Sequence, residues 1–133
     1  MALDRNRTTR DYLYGRLLAV AEYAERSALD KAGEKRPTNA ERLMQRFADN
    51  PCATWRTLTT QLSPYMQRLQ SNEPSPYTRI KRELQEISGK CDNIDDFTSA
   101  KRLEGEFLIG YYCQLADFYK KKETTTAQEG ENQ

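Results

Sequence analysis

The sequence predicts an all-α fold, a single bundle of about five helices, on three observations. Apolar residues recur at helical spacing, and no stretch alternates convincingly as a strand would. Caps, glycines and prolines fall where helices start and stop. The mean hydropathy of −0.95, with 31% charged residues, suits long amphipathic helices or a partner-covered surface better than a deep cavity. A chain of 133 residues makes one domain. Residues 1–122 are assigned to the bundle. Residues 123–133 have no apolar anchor and are expected to form a disordered tail.

The first helix is predicted from about Thr9 to Lys31, with Leu13, Leu17, Val20, Ala21, Ala24 and Ala28 in one stripe. Gly33 and Pro37 end it. Thr38 and Glu41 have capping-box spacing and open a second helix, on which Ala40, Leu43, Met44 and Phe47 share a face. Asn50-Pro51 starts the third, which carries Trp55, Leu58, Leu62, Tyr65, Met66 and Leu69 on one arc. Pro64 is expected to kink or split it. Residues 71–76 read as a loop, and a fourth helix follows from about Tyr77 to Ser88, ended by Gly89. Its charges fall into i, i+4 pairs, Arg79–Glu83, Arg82–Glu86 and Glu86–Lys90, that would satisfy one another.

The fifth helix is predicted from about Asp95 to Lys121, with two adjacent apolar stripes. One is Ala100, Leu103, Phe107, Gly110, Tyr111, Gln114 and Phe118; the other is Leu108, Tyr112, Leu115 and Tyr119. So wide an apolar arc means either that this helix is central or that it docks on another subunit. Gly15 and Gly110, inside helices, each cost roughly 1 kcal/mol relative to Ala. Close approach of two helix backbones would offset that.

The chain contains no histidine, which removes imidazole acid–base catalysis, Ser-His and Cys-His nucleophile pairs, and imidazole zinc sites. Cys52, Cys91 and Cys113 form no CxxC pair and fit a reducing cytoplasm. The longest strictly apolar run, Leu17 to Ala21, is far short of the ~20 residues that span a bilayer. The carboxylates Asp95, Asp96, Glu104 and Glu106 read as solvated residues early in a helix. No catalytic residue, metal site, cofactor, small-molecule substrate or membrane contact is expected, and the protein is expected to be cytoplasmic.

Charge is distributed unevenly. Residues 1–90 carry 12 Arg and 4 Lys and are net +5, whereas residues 91–119 are net −4. Such a split suggests a polyanion contact on one side and a protein contact on the other. Arg5, Arg7, Arg10, Arg16, Arg42, Arg46, Arg56 and Arg68 are the candidates for phosphate contact, since guanidinium groups suit bidentate phosphate binding. Tyr12 and Tyr23 flank Arg16 and offer either a stacking platform or simply the rim of the core. No zinc-finger, RNA-recognition or Walker motif is present, so charge supports backbone-directed binding only. The Leu108–Tyr112–Leu115–Tyr119 stripe and the acidic last helix are the candidates for subunit contact.

Two segments carry a family resemblance. The first is Arg5-Asn6-Arg7 followed by Tyr12-Leu13-Tyr14-Gly15-Arg16-Leu17-Leu18-Ala19-Val20. The second is Phe107-Leu108-Ile109-Gly110-Tyr111-Tyr112-Cys113-Gln114, continuing to Asp117-Phe118-Tyr119. Together they resemble the C-terminal region of the large subunit of the type I-C CRISPR surveillance complex, Cascade. The stretch from Pro51-Cys52-Ala53-Thr54 to Leu69 resembles the family's middle helices more loosely. The sequence departs from the family at Cys113, where histidine is frequent, and at Leu115-Ala116, where more polar residues stand.

In that family the C-terminal region is also made as a separate protein, the small subunit, from an internal start. This chain, with Met1 just before Arg5-Asn6-Arg7, looks like that product. The resemblance implies a helical bundle without enzymatic activity, stacked in copies along a crescent of backbone subunits on CRISPR RNA. Its implied partners are the backbone and large subunits, further copies of itself, the CRISPR RNA–target DNA hybrid and the displaced DNA strand. The alternative expectation is an assembly scaffold between subunits with no direct nucleic-acid contact. A free-standing helical DNA-binding regulator is disfavoured by the missing recognition helix.

Overall fold

The computed structural model describes the backbone of residues 2–131 and the side chains of residues 2–120. Its elements are α1 (Arg10–Lys31), α2 (Asn39–Arg42), α3 (Met44–Asp49), α4 (Pro51–Asn72), α5 (Pro74–Cys91) and α6 (Glu106–Glu131). No strand occurs among the described residues, so the chain is an all-α bundle. The tail expected over 123–133 lies outside the residues described with side chains.

Helix α1 is the centre of the bundle. Residues 12–22 along it are all buried, and α4, α5 and α6 pack around it. Of the two readings of the last helix, central or docked on another subunit, the central one therefore does not hold, since that position belongs to the first helix. The reason lies in side-chain size. Gly15, Ala19, Ala21 and Ala24 let neighbours approach α1 from several sides at once. A Cβ added at Gly15 would land on the Phe107 carbonyl oxygen and 2.8 Å from the Tyr111 nitrogen. A Cβ on Gly110 would land on the Tyr12 carbonyl oxygen. The two helix-interior glycines thus mark one crossing, where the backbones of α1 and α6 touch.

The ends of α1 and α2 follow the expected signals. Gly33, at φ 77°, closes α1, with Glu34 N donating to Leu29 O at 2.9 Å and Gly33 N to Asp30 O at 3.1 Å. Thr38 and Glu41 form the capping box: Glu41 N donates to Thr38 Oγ1 at 3.1 Å and Thr38 N to Glu41 Oε1 at 3.0 Å. The expected second helix is broken at Leu43 into α2 and α3. Pro64 does not split α4, because it lies on the exposed side, where the carbonyl deprived of its donor can turn to water. The expected loop at 71–76 shrinks to Glu73, and α5 runs past Gly89 to Cys91.

The largest correction concerns the last helix, which starts at Glu106 and not near Asp95. Residues 92–105 are held in turns and extended chain by tertiary contacts that outweigh local helix preference. Phe97 stacks on Tyr14 with ring centroids 4.1 Å apart, and its carbonyl accepts from the Tyr14 hydroxyl at 2.7 Å. Leu103 is buried and its N–H donates to Ala48 O at 2.8 Å. Glu104 N donates to the Asp11 carboxylate at 2.8 Å. A continuous helix would forfeit all of these.

Candidate nucleic-acid interface

The eight arginines proposed for phosphate contact fall into two groups. Arg16 is fully buried. Its Nε donates to Gln114 Oε1 at 2.7 Å, and its Nη2 pairs with Glu86 and, at 3.4 Å, with Glu83. It has no path to a phosphate in this fold and leaves the candidate set. Tyr12 beside it is buried as well, and Tyr23 stacks on Phe118 at 4.1 Å, so the proposed stacking flank is core.

Arg5 reaches the same carboxylates from the N-terminal segment. Its Nη1 lies 3.1 Å from Glu83 and 2.9 Å from Glu86, and its Nη2 lies 3.1 Å from Asp117. Burial works against the charge of Arg5, but Glu83 and Glu86 outweigh it and raise its pKa. Burial also opposes the charge of Glu86, yet Arg16 and Arg5 hold its pKa below the ordinary value. Arg79 joins the cluster from α5, donating to the carbonyls of Phe118 at 2.7 Å and Asp117 at 2.8 Å. Arg79, Glu83 and Glu86 of α5 are therefore not spent on their own helix, as i, i+4 spacing suggests. They tie the N-terminal segment, α1 and α6 together.

Arg10 is likewise internal. Its side chain is 8% exposed, lies over the Tyr14 ring at 5.2 Å, and donates to Ser99 O at 3.0 Å and Lys101 O at 2.9 Å. Arg7 is half-exposed, over the Tyr12 ring at 4.8 Å and 3.7 Å from Glu106.

The second group faces solvent. Arg42, Arg46, Arg56 and Arg68 are all exposed on α2, α3 and α4. Arg42 bonds the Asn39 side chain, a neutral partner. Arg68 stacks on Tyr65 at 5.0 Å and reaches Glu34 only at 4.0 Å. No ion pair is formed by Arg46 or Arg56 among the described residues. These side chains can exchange water for a phosphodiester at little cost.

Residues 1–119 match the family described as CRISPR-associated protein (Cas_Csd1). The chain belongs to this family. No curated protein matches it. The Cas_Csd1 match spans both arginine groups and every helix that positions them, α1 to α5 and the first half of α6. No described helix of this CRISPR-associated protein is long and apolar enough to cross a membrane.

The stripe proposed for subunit contact runs along the outer side of α6. Leu108, Tyr112 and Tyr119 are exposed, Tyr112 by 58%, and Leu115 is half-buried. Ile109, exposed by 41%, extends the surface beyond the four residues that helical spacing selects. Lys101 and Arg102 also escape sequence reasoning. They sit in the acidic back segment, where periodicity alone continues a helix. The loop that carries them is brought against α3 instead.

Proposed function

We propose that the chain is a non-catalytic small subunit of a CRISPR RNA-guided surveillance complex of type I-C. In this reading it works in the cytoplasm beside backbone subunits, a large subunit and further copies of itself. Arg42, Arg46, Arg56 and Arg68 steady the guide–target hybrid and the displaced DNA strand through their phosphates. Exchanging a DNA duplex for an RNA–DNA hybrid is near balance, so a few backbone contacts suffice to tip it. The observation that carries this reading is the sorting of the arginines. Arg5, Arg10 and Arg16 are held by carboxylates and carbonyls inside the chain, while these four stay exposed and almost free of acidic partners.

The test is the double reversal Arg42→Glu with Arg46→Glu, introduced into the assembled, guide-loaded complex. Target-DNA affinity should fall and its salt dependence should flatten, with assembly intact. The exposed α6 stripe favours a second reading, an assembly scaffold that touches no nucleic acid. Under that reading the double reversal leaves DNA affinity per assembled complex unchanged, while Tyr112→Glu abolishes incorporation.

A further inference from the structure

We infer that the loop at residues 99–103 belongs to the DNA-contacting face, with Lys101 and Arg102 extending the row begun by Arg42 and Arg46, and with Arg10 as the residue that positions them. This rests on the nucleic-acid reading above and adds residues to it.

Three bonds fix the loop. The buried Arg10 guanidinium grips the carbonyls of Ser99 and Lys101 at 3.0 and 2.9 Å. Leu103 N donates to Ala48 O at 2.8 Å, which lays the loop along the C-terminal end of α3. Arg102 Nε then lies 3.5 Å from Asp49, and Arg102 lines one shallow groove with Gln45 and Ala48. Asp49 is three residues after Arg46, so both rise from neighbouring positions on α3. Arg102 is therefore brought to the helix that carries Arg46, although 56 positions separate the two in the sequence.

The chemistry of this edge suits a phosphodiester backbone. Asp49 and Glu104 are the nearby carboxylates of this edge, and Glu41, beside Arg42, is already engaged by Arg26 at 3.2 Å and by the Thr38 capping box. The Arg102–Asp49 pair is 69% and 52% exposed, and such a pair holds weakly enough to yield to a phosphate. Lys101 and its neighbour Ala100 are exposed as well, so the loop tip is open to a strand running past α3. Arg10 does not touch that strand. It acts from behind, by turning two carbonyls inward so that the side chains between them point out.

The test uses the guide-loaded complex reconstituted with Lys101→Glu/Arg102→Glu. Both positions are exposed, so folding is preserved, and guide-RNA and subunit content are measured alongside affinity. Target-DNA affinity at physiological salt should fall by about tenfold or more, and the slope of log K against log salt should shrink by about 0.7–0.9 for each phosphate no longer neutralised. Unchanged affinity and slope would overturn the inference. So would a loss traced to reduced guide-RNA or subunit content. If Arg42→Glu/Arg46→Glu weakens DNA binding and the loop variant does not, only this inference falls. If neither does, the nucleic-acid reading falls with it. Arg10→Gln supplies the positioning test. It should lower DNA affinity in the wild-type chain and add nothing in the Lys101→Glu/Arg102→Glu background; an additive loss there refutes the positioning role.

Discussion

Arg16 and Arg56 are the same side chain on helices that pack against each other, yet the fold uses them in opposite ways. Arg16 sits on α1, the helix enclosed on most sides, and finds Glu83, Glu86 and Gln114 already placed around it. Arg56 sits on α4, whose buried line of Thr54, Leu58, Leu62 and Leu69 leaves it on the far side. The same contrast divides the molecule. On the α1–α5–α6 side, Arg16, Glu83 and Arg79 are held within the chain and two helix backbones touch, while Lys81 and Arg82 of α5 face solvent. On the α2–α4 side, the helices bury one face and leave their cations outward. An arginine's role is thus set by how enclosed its helix is and by which carboxylates the fold brings to it.

The strongest way to break the internal side is Arg16→Ala. It leaves Glu83 buried and Glu86 half-buried, with Arg5 as their remaining cation. Removing one partner of a buried ion pair costs about 3–5 kcal/mol, so thermal or urea unfolding should show a large loss. The loss has a pH signature. Because the folded pKa of Glu86 is lowered, its stabilising contribution is complete above the ordinary carboxylate pKa and fades as pH falls through the lowered value. Wild-type stability should therefore drop on acidification, and the Arg16→Ala deficit should narrow in acid. A deficit that stays constant down to pH 3 would mean that Arg16 acts through packing alone.

Gly15→Ala comes next. The added methyl meets the carbonyl of Phe107, a backbone atom that cannot swing aside. Overpacking of this kind costs about 1–3 kcal/mol, offset in part by the roughly 1 kcal/mol that Ala gains over Gly in a helix. Gly89→Ala is the control, since a Cβ there meets nothing within 4 Å. It should stabilise slightly. If Gly15→Ala does the same, the α1–α6 backbone contact is not as close as described.

How much of this was legible follows from the same division. The all-helical class, the start of α1, its glycine stop and the Thr38 capping box are set by local chemistry, and they can be read from neighbouring residues. The two glycines also announce a helix crossing, because a helix-interior glycine is costly without one. The fate of Arg16 could not be read, since Glu83 and Gln114 are 67 and 98 positions away and only the fold brings them near. The late start of α6 is hidden for the same reason. Tyr14, Ala48 and Asp11 hold residues 97–104 out of a helix that periodicity alone would continue. Carboxylates at i, i+4 spacing on α5 suggest pairing within that helix, and the longer-range arginines win.

A subtler test lies where the two sides meet. Glu22 on α1 is buried and accepts from the Thr38 hydroxyl. Burial raises its pKa, and the Thr38 bond offsets this only in part. The sign is opposite to that of Glu86. A raised carboxylate contributes most below its unfolded pKa and loses that contribution as pH rises through the folded value. Glu22→Gln keeps an acceptor for Thr38 and removes the buried charge, so it should raise the melting temperature at pH 7 and leave it unchanged near pH 3. A loss of stability at pH 7 would show that the charge itself is wanted at this junction.

The smallest effect on stability belongs to the outward side. Arg56→Ala removes an exposed side chain that forms no ion pair among the described residues, and a surface change of this kind stays within about ±0.5 kcal/mol. The α4 position also favours Ala intrinsically, so helix propensity does not add a loss. Set beside Arg16→Ala, this gives a difference of several kcal/mol between two identical substitutions on adjacent helices, measurable in one urea series. On the proposed function, Arg56→Ala should nonetheless weaken DNA binding by the assembled complex, whereas its unfolding midpoint does not move. If the midpoint falls as far as it does for Arg16→Ala, the division between internal and outward arginines is wrong at α4, and Arg56 is part of the bundle's framework rather than of its exposed face.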